Sequence, residues 1–288
     1  MNRKKEQQPY IMMITSLLIM GSIGIIRRNI PLSSGLIAFC RGVIGSLFLA
    51  AFCRLHRIPV WRGIDRKKLI LLACGGAFLG INWILLFEAY NYTSVAAATL
   101  CYYMEPSILL LVSPLVFSER LTVRKLICAC AAVLGMVLIS GVSLHEGGSI
   151  RGIAYGLAAA CFYSLVVITN KKIGKMNAFS QTVIELAASA VILFPYLLAH
   201  GDFQGSLNIH DGIMLVIAGI MHTGIAYVLY FGSMSGLKAQ TISALAYLDP
   251  VSALVFAAVF LQEPLSLPVI AGAVLIIGSA LAGAVQEA

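Results

Sequence analysis

The 288-residue chain is 60% hydrophobic and only 11% charged, and its formal net charge is +8. A soluble domain normally carries about 25% charged residues, so this composition predicts a membrane protein. The basic residues lie in short clusters between long apolar runs, which excludes the continuous basic arms of nucleic-acid-binding proteins.

Ten apolar runs are long enough to be transmembrane helices, because a helix needs about 20 residues to cross the hydrocarbon core. The first follows a basic N-terminal segment with no small-residue cleavage site after it, and we interpret it as a retained helix. The sequence therefore predicts an all-α membrane protein without a soluble catalytic domain. These runs, called spans 1 to 10, cover residues 11–29, 34–53, 69–89, 95–117, 126–143, 151–170, 179–199, 211–231, 240–261 and 266–285.

The distribution of basic residues predicts the orientation of the spans. If the N-terminus is cytoplasmic, 16 of the 20 lysines and arginines fall in cytoplasmic segments and only Arg27, Arg28 and Arg151 fall outside. Basic residues are retained on the cytoplasmic side of membranes. We therefore expect a multi-pass protein of the cytoplasmic membrane with both termini inside the cell.

No motif for nucleotide, metal or covalent chemistry occurs in the sequence. GxxxxGK[ST] is absent, so we expect no ATP-driven step and no cofactor. The seven cysteines lie in or beside the spans without a set of histidines at ligand spacing, so we expect no metal site and no disulfide. The short loops contain no catalytic cluster, and the sequence does not predict an enzyme.

The second half of the chain repeats the first at an offset of 144 residues. "GAFLGINWILLF" (76–87) aligns with "IMHTGIAYVLYF" (220–231), and no gap is needed from residue 75 to 122. The pair Glu105-Pro106 aligns with Asp249-Pro250, and Glu119-x-Leu with Glu263-x-Leu. Polar residues at one constant offset indicate an internal repeat more strongly than apolar matches do.

Each repeat contains five spans, and an odd number reverses the orientation of the second repeat in the membrane. We therefore predict two inverted repeats, residues 1–143 and 144–288, related by a pseudo-two-fold axis in the membrane plane. Transporters built in this way bind substrate at the repeat interface near the membrane midplane. The sequence predicts a central cavity there.

Several motifs resemble the drug/metabolite transporter superfamily, EamA type, across essentially the whole chain. They are "MGSIGI", "FCRG", "EPSILLLVSPLVFSERLT", "LDPVSALVFAAVFLQEPLS" and "AGAVLIIGSALAG". The resemblance implies ten helices, with spans 1–4 and 6–9 around a central cavity and spans 5 and 10 at the periphery. It also implies transport of small metabolites, often outward. Glu105 departs from the family pattern, which often has a neutral residue at that position.

The two acid-proline pairs lie near the middle of spans 4 and 9. A charged acid at that depth costs roughly 2.5–3.5 kcal/mol on insertion scales, so Glu105 and Asp249 should face a cavity or a partner. Pro106 and Pro250 should kink their helices and leave a backbone carbonyl free beside each acid. We therefore predict cation or proton sites here, although helix packing would also explain both pairs.

Three further polar residues lie inside the spans. Arg41 could bind a substrate carboxylate or pair with an acid such as Glu88. Glu185, at the repeat-related position, could accept protons or pair with a basic residue. His222 could relay protons, or could simply be a hydrogen-bonded core histidine. Glu119 and Glu263, near span ends, fit a cap, a gate or a salt bridge better than a substrate contact.

Aromatic and amide side chains complete the predicted cavity. Aromatic faces attract ammonium groups, so rings beside acids suit an amine or an amino acid, while interface belts and packing would explain some of them. The predicted cavity residues are Asn82, Trp83, Tyr102, Tyr103, Tyr163, Tyr227 and Tyr247.

The sequence as a whole favours a secondary transporter of a small polar metabolite that works by alternating access and is coupled to protons at Glu105, Asp249, Glu185 or His222. A channel or uniporter and a membrane-embedded enzyme are the alternatives. Small residues in spans 5 and 10 predict close packing, either within the subunit or across a homodimer.

Overall fold

The computed structural model describes residues 2–117, 123–145, 149–174, 176–200, 208–234, 236–237 and 245–284. All regular structure in these ranges is helical. The α-helices are α1 (Asn2–Gly21), α2 (Ile23–Arg28), α3 (Ser34–Leu55), α4 (Arg66–Tyr92), α5 (Val95–Tyr102), α6 (Glu105–Phe117), α7 (Val123–His145), α8 (Ile150–Ile173), α9 (Ala178–His200), α10 (Ile209–Gly219), α11 (Ala226–Met234), α12 (Leu248–Phe260) and α13 (Leu267–Ala284).

The helices follow the ten predicted spans in order, with three spans divided. Span 1 comprises α1 and α2, span 4 comprises α5 and α6, and span 8 comprises α10, a π-helical segment (Ile220–Ile225) and α11. Six segments within the described ranges are long and apolar enough to cross a membrane, and three shorter apolar helices accompany them. The molecule is an all-α, multi-pass membrane protein.

Spans 4 and 9 are interrupted rather than smoothly kinked at their acid-proline pairs. α5 ends at Tyr102, and α6 begins with Glu105 after a turn at Tyr103. In span 9, Tyr247 is a turn residue immediately before α12. Tyr103 and Tyr247 are equivalent at the 144-residue offset. Because proline cannot donate to the carbonyl one turn earlier, the helix on its N-terminal side loses a hydrogen bond at its end.

Helices from the two halves of the chain pack against one another. α4 packs most extensively against α8 and also contacts α9, while α3 packs on α9 and α1 on α11 and α12. A glycine in α4 permits a close approach between α4 and α9. A Cβ atom on Gly76 would clash with the Glu185 carbonyl oxygen and lie 2.6 Å from Ala188 Cβ. This contact fixes the spacing of two helices that border the cavity described below.

Gly76→Ala should therefore destabilise the protein, because its methyl group meets backbone rather than a flexible side chain. We expect a loss of about 1–3 kcal/mol in the free energy of unfolding, measured by thermal or denaturant unfolding in detergent. Gly278→Ala is the matched control, since a Cβ atom there has nothing within 4 Å. Equal stability of the two variants would contradict the packing described for α4 and α9.

The peripheral helices α7 and α13 pack on each other within the subunit. A Cβ atom on Gly135 would lie 2.7 Å from the Gly272 carbonyl oxygen, and one on Gly272 would lie equally close to the Gly135 carbonyl oxygen. The small residues of spans 5 and 10 therefore serve an intramolecular contact. No described side chain of either helix lines the cavity.

Candidate functional site

A cavity of about 560 Å³ lies between the two halves of the chain. Pro250 is buried but does not line it. The cavity brings together the other residues that the sequence predicted to bind substrate, couple protons or kink helices, although these roles remain predictions. They are Arg41, Asn82, Trp83, Tyr102, Tyr103, Glu105, Pro106, Tyr163, Glu185, His222, Tyr227, Tyr247 and Asp249.

The acids of both acid-proline pairs line this cavity. Tyr103, in the turn of span 4, donates a hydrogen bond from its hydroxyl to Asp249 Oδ2 in the first turn of α12. The Glu105 carboxylate lines the same cavity and forms no hydrogen bond or ion pair with the described residues, although Ser164 Oγ donates to its backbone carbonyl at 3.3 Å. The interrupted helices thus present one acid from each half.

Tyrosine rings surround these acids. The Tyr102 ring centroid lies 5.5 Å from that of Tyr103 and 5.6 Å from that of Tyr163. In α11, the ring centroids of Tyr227 and Phe231 lie 5.7 Å apart. Rings close to carboxylates provide faces and edges that suit an ammonium group.

Arg41 forms the cationic part of the cavity. Its guanidinium carbon lies 4.3 Å from the Trp83 ring centroid and 5.4 Å from that of Phe87. Its Nε donates to Thr223 Oγ1 at 3.2 Å. The salt bridge with Glu88 that the sequence allowed does not form. Glu88 instead accepts a hydrogen bond from Asn91. No carboxylate in the described ranges lies within 4 Å of Arg41, which leaves its terminal nitrogens available to a ligand.

Thr223 and His222 lie in the π-helical segment of span 8. Such wide turns occur often at functional sites. His222 Nε2 is 2.9 Å from Ser22 Oγ, at the break between α1 and α2. Thr223 Oγ1 donates to the Ala218 carbonyl five residues earlier. The π segment therefore joins span 1 to span 8 and holds the hydroxyl that Arg41 contacts.

Asn82 and Glu185 occupy other parts of the cavity wall. Asn82 Nδ2 donates to the Ala159 carbonyl at 2.7 Å, which ties α4 to α8. Glu185 Oε1 accepts a hydrogen bond from Gln181 Nε2 at 3.1 Å. Asn82 thus has a structural contact in addition to its place on the wall, and Glu185 has neutral partners rather than a basic one.

Glu263 caps a helix outside the cavity, as its position near a span end indicated. Its two carboxylate oxygens accept hydrogen bonds from the backbone amides of Val95 (2.7 Å) and Ala96 (2.9 Å). Arg28 Nη2 lies 3.8 Å from the same carboxylate. This group links span 1, span 4 and the loop after α12, and we call it the outer latch because the basic-residue distribution predicts that it lies outside the cell. Glu119, its equivalent in the repeat, lies outside the described residues.

Glu263→Ala should therefore weaken the protein. Loss of two charge-assisted hydrogen bonds at a helix N-terminus is expected to lower the free energy of unfolding by about 2–4 kcal/mol, seen as a lower thermal midpoint. Glu88→Ala removes an exposed hydrogen bond of 3.3 Å from Asn91 rather than two backbone hydrogen bonds at a helix N-terminus, and should have a much smaller effect. If the two substitutions lower the midpoint equally, Glu263 does not stabilise the latch.

The sequence did not reveal several polar residues in or beside the cavity. Asn170 and Gln181 line it and Thr223 contacts Arg41, but each lies in an ordinary-looking helical stretch. The alignment of the halves gave no signal for Thr223, because its repeat equivalent is Leu79.

Comparisons with known proteins agree with this architecture. The EamA-like transporter family matches the chain twice, at residues 7–141 and 150–282. An uncharacterized transporter YxxF of Bacillus subtilis is 33% identical over 266 residues, covering 89% of this chain and 83% of that protein. Protein RarD of Salmonella typhi is 28% identical over 225 residues, covering 75% of this chain and 73% of that protein.

A solved crystal structure shares the fold over 96% of both chains, with a TM-score of 0.67 and 19% sequence identity. The family match covers nearly all the described helices and includes both acid-proline pairs. The chain therefore belongs to the EamA-like transporter family and is a membrane transporter.

Proposed function

We propose that the protein is a secondary active transporter that moves a small zwitterionic metabolite, such as an amino acid, across the cytoplasmic membrane by alternating access. The observation that carries this proposal is the cavity between the halves, which presents Arg41 without a carboxylate partner among the described residues and, separately, two acids beside tyrosines.

The substrate class follows from these two groups of side chains. Arginine binds carboxylates through a planar fork of donors, and Trp83 and Phe87 hold the Arg41 guanidinium in place. Glu105 and Asp249, among tyrosine rings, suit an ammonium group. A cavity of about 560 Å³ is within the size range of small-molecule sites. A small molecule that carries both a carboxylate and an ammonium group would contact Arg41 and the two acids at once.

The residues that line the cavity support a conformation open toward the cytoplasm. Its walls include Ala178 and Gln181 at the start of α9 and Phe231 near the end of α11, which the basic-residue distribution places on the inner side. The outer-latch residues Arg28 and Glu263 do not line it. Opening the latch while closing the inner end would expose the same cavity to the outside, as rocking of inverted repeats requires.

Proton movement at Glu105 or Asp249 would couple transport to the membrane gradient. Both acids are within the membrane and border the substrate cavity, and intramembrane acids of transporters commonly form proton relays. Glu105 has no partner among the described side chains, and Asp249 has only the neutral hydroxyl of Tyr103.

Counterflow in proteoliposomes tests the transport proposal. Vesicles loaded with an excess of unlabelled amino acid should transiently accumulate the labelled one, because a carrier exchanges bound solute across the membrane. Candidate solutes come from a thermal-shift screen of amines, amino acids and sugars, since ligands stabilise the folded protein. Flux without saturation or counterflow would indicate a channel, and neither binding nor flux of any zwitterion would overturn the proposed substrate class.

A further inference from the structure

A small polar crevice lies where α4, α8 and α9 meet, apart from the acid-proline pairs. Glu185 on α9 is 5% exposed and accepts a hydrogen bond from Gln181. Asn170, in the last turn of α8, lines the same crevice. Within the described ranges, no basic side chain lies within 4 Å of Glu185. The crevice therefore contains a buried acid whose protein partners are neutral.

Three oxygen atoms converge beside Gly75 on α4. The place where a Cβ atom of this residue would lie is 3.2 Å from Thr169 Oγ1, 3.3 Å from Glu185 Oε1 and 3.6 Å from Asn170 Oδ1. An added methyl group would therefore touch all three oxygens. A small ion or a water molecule at this point would therefore lie close to all three oxygens.

One of these oxygens lacks a partner. Asn170 Oδ1 is buried and accepts no hydrogen bond from the part of the chain that the structure describes. Buried polar atoms are nearly always paired, so an unpaired oxygen that faces a small space points to an ion or a water. The Thr169 hydroxyl donates to the Val166 carbonyl at 2.8 Å, which leaves its lone pairs free to bind a cation.

We propose that Thr169, Asn170 and Glu185 bind a sodium ion. Oxygen ligands select hard cations, and a single carboxylate with two neutral oxygens suits one positive charge. The described residues include no group of three His, Cys, Asp or Glu side chains that could hold a metal ion. The C-terminal turn of α8 adds a partial negative charge. Because Asn170 and Glu185 also line the cavity, the ion enters from that side.

Equilibrium binding of radioactive sodium to the purified full-length protein in detergent tests this site without any substrate. Choline chloride keeps the ionic strength constant at a fixed pH. The wild type should bind sodium saturably, with about one ion per chain, and unlabelled NaCl should displace it whereas choline should not. Because only sodium is measured, failure here does not affect the proposed transport of metabolites, and failure of that transport does not affect this result.

Four variants locate the ion. Glu185→Gln should lose saturable binding, and Gly75→Ala and Asn170→Ala should weaken it by about ten-fold or more. Glu88→Gln, the same change outside the cavity, should bind like the wild type. Thermal unfolding confirms that each variant is folded, and Gly75→Ala tests the site without changing any ligand or charge. Absence of sodium binding to the wild type, or unchanged binding to Glu185→Gln, would overturn the proposal, as would equal displacement by KCl.

Discussion

Arg41→Ala is expected to abolish detectable binding of carboxylate-bearing solutes to the purified transporter. Arg41 is 6% exposed, its guanidinium lies against two aromatic rings and it has no carboxylate partner among the described residues, so a substrate carboxylate would be its main counter-charge. Removal of one member of a buried, hydrogen-bonded charge pair costs about 2–5 kcal/mol of binding, which corresponds to at least about a thirty-fold increase in Kd. Isothermal titration with the best amino acid from the screen measures this change.

Arg41→Lys is the control for this experiment. Lysine keeps the positive charge but lacks the planar fork and the stacking surface, so we expect an affinity between those of the wild type and the alanine variant. The folded state should tolerate both substitutions, because Arg41 makes a single side-chain hydrogen bond within the described ranges, to Thr223. Amines without a carboxylate should bind all three proteins similarly. A carboxylate ligand that binds Arg41→Ala as tightly as the wild type would exclude Arg41 from the binding site.

Glu105→Gln and Asp249→Asn are expected to uncouple transport from the proton gradient. Each substitution keeps the shape of the side chain but removes its ability to release a proton. In proteoliposomes, a pH gradient should stimulate flux through the wild type and should have no effect on a variant that lacks the coupling acid. Counterflow, which needs no gradient, should persist in that variant. Flux measured with and without the gradient, for the wild type and each variant, separates the two acids.

Tyr103→Phe is the matched control for Asp249. It removes the hydrogen bond to Oδ2 while the titratable carboxylate remains, so the response to the gradient should be retained. If neither acid variant differs from the wild type with or without a gradient, protons are not coupled through these residues. Glu185, at the proposed sodium site, would then be the remaining acid of the cavity that could couple transport to an ion gradient.

The sequence was sufficient to predict the helical class and much of the cavity wall. Lengths of apolar runs determine the spans, and two acid-proline pairs at one constant offset identify where spans 4 and 9 are interrupted. The structure breaks these helices at Tyr103 and Tyr247 rather than merely bending them. The local chemistry of proline explains this, since each proline leaves the preceding helical segment without one hydrogen-bond donor.

The environment of Arg41 could not be predicted, because it depends on contacts between residues far apart in the chain. Thr223 is 182 residues from Arg41 and reaches it from a π-helical segment for which the sequence has no clear signature. Gly45 permits this approach, since a Cβ atom there would lie 3.0 Å from Thr223 Cβ. Packing of this kind depends on backbone spacing between helices, which periodicity and composition do not encode.

The position of a bound amino acid in an experimental structure tests the central claim most directly. The account predicts that the ligand lies in the cavity between the halves, with its carboxylate on Arg41 and its ammonium group toward Asp249, Glu105 and the surrounding tyrosines. A ligand bound elsewhere, or a structure in which Glu105 and Asp249 face the lipid, would contradict it.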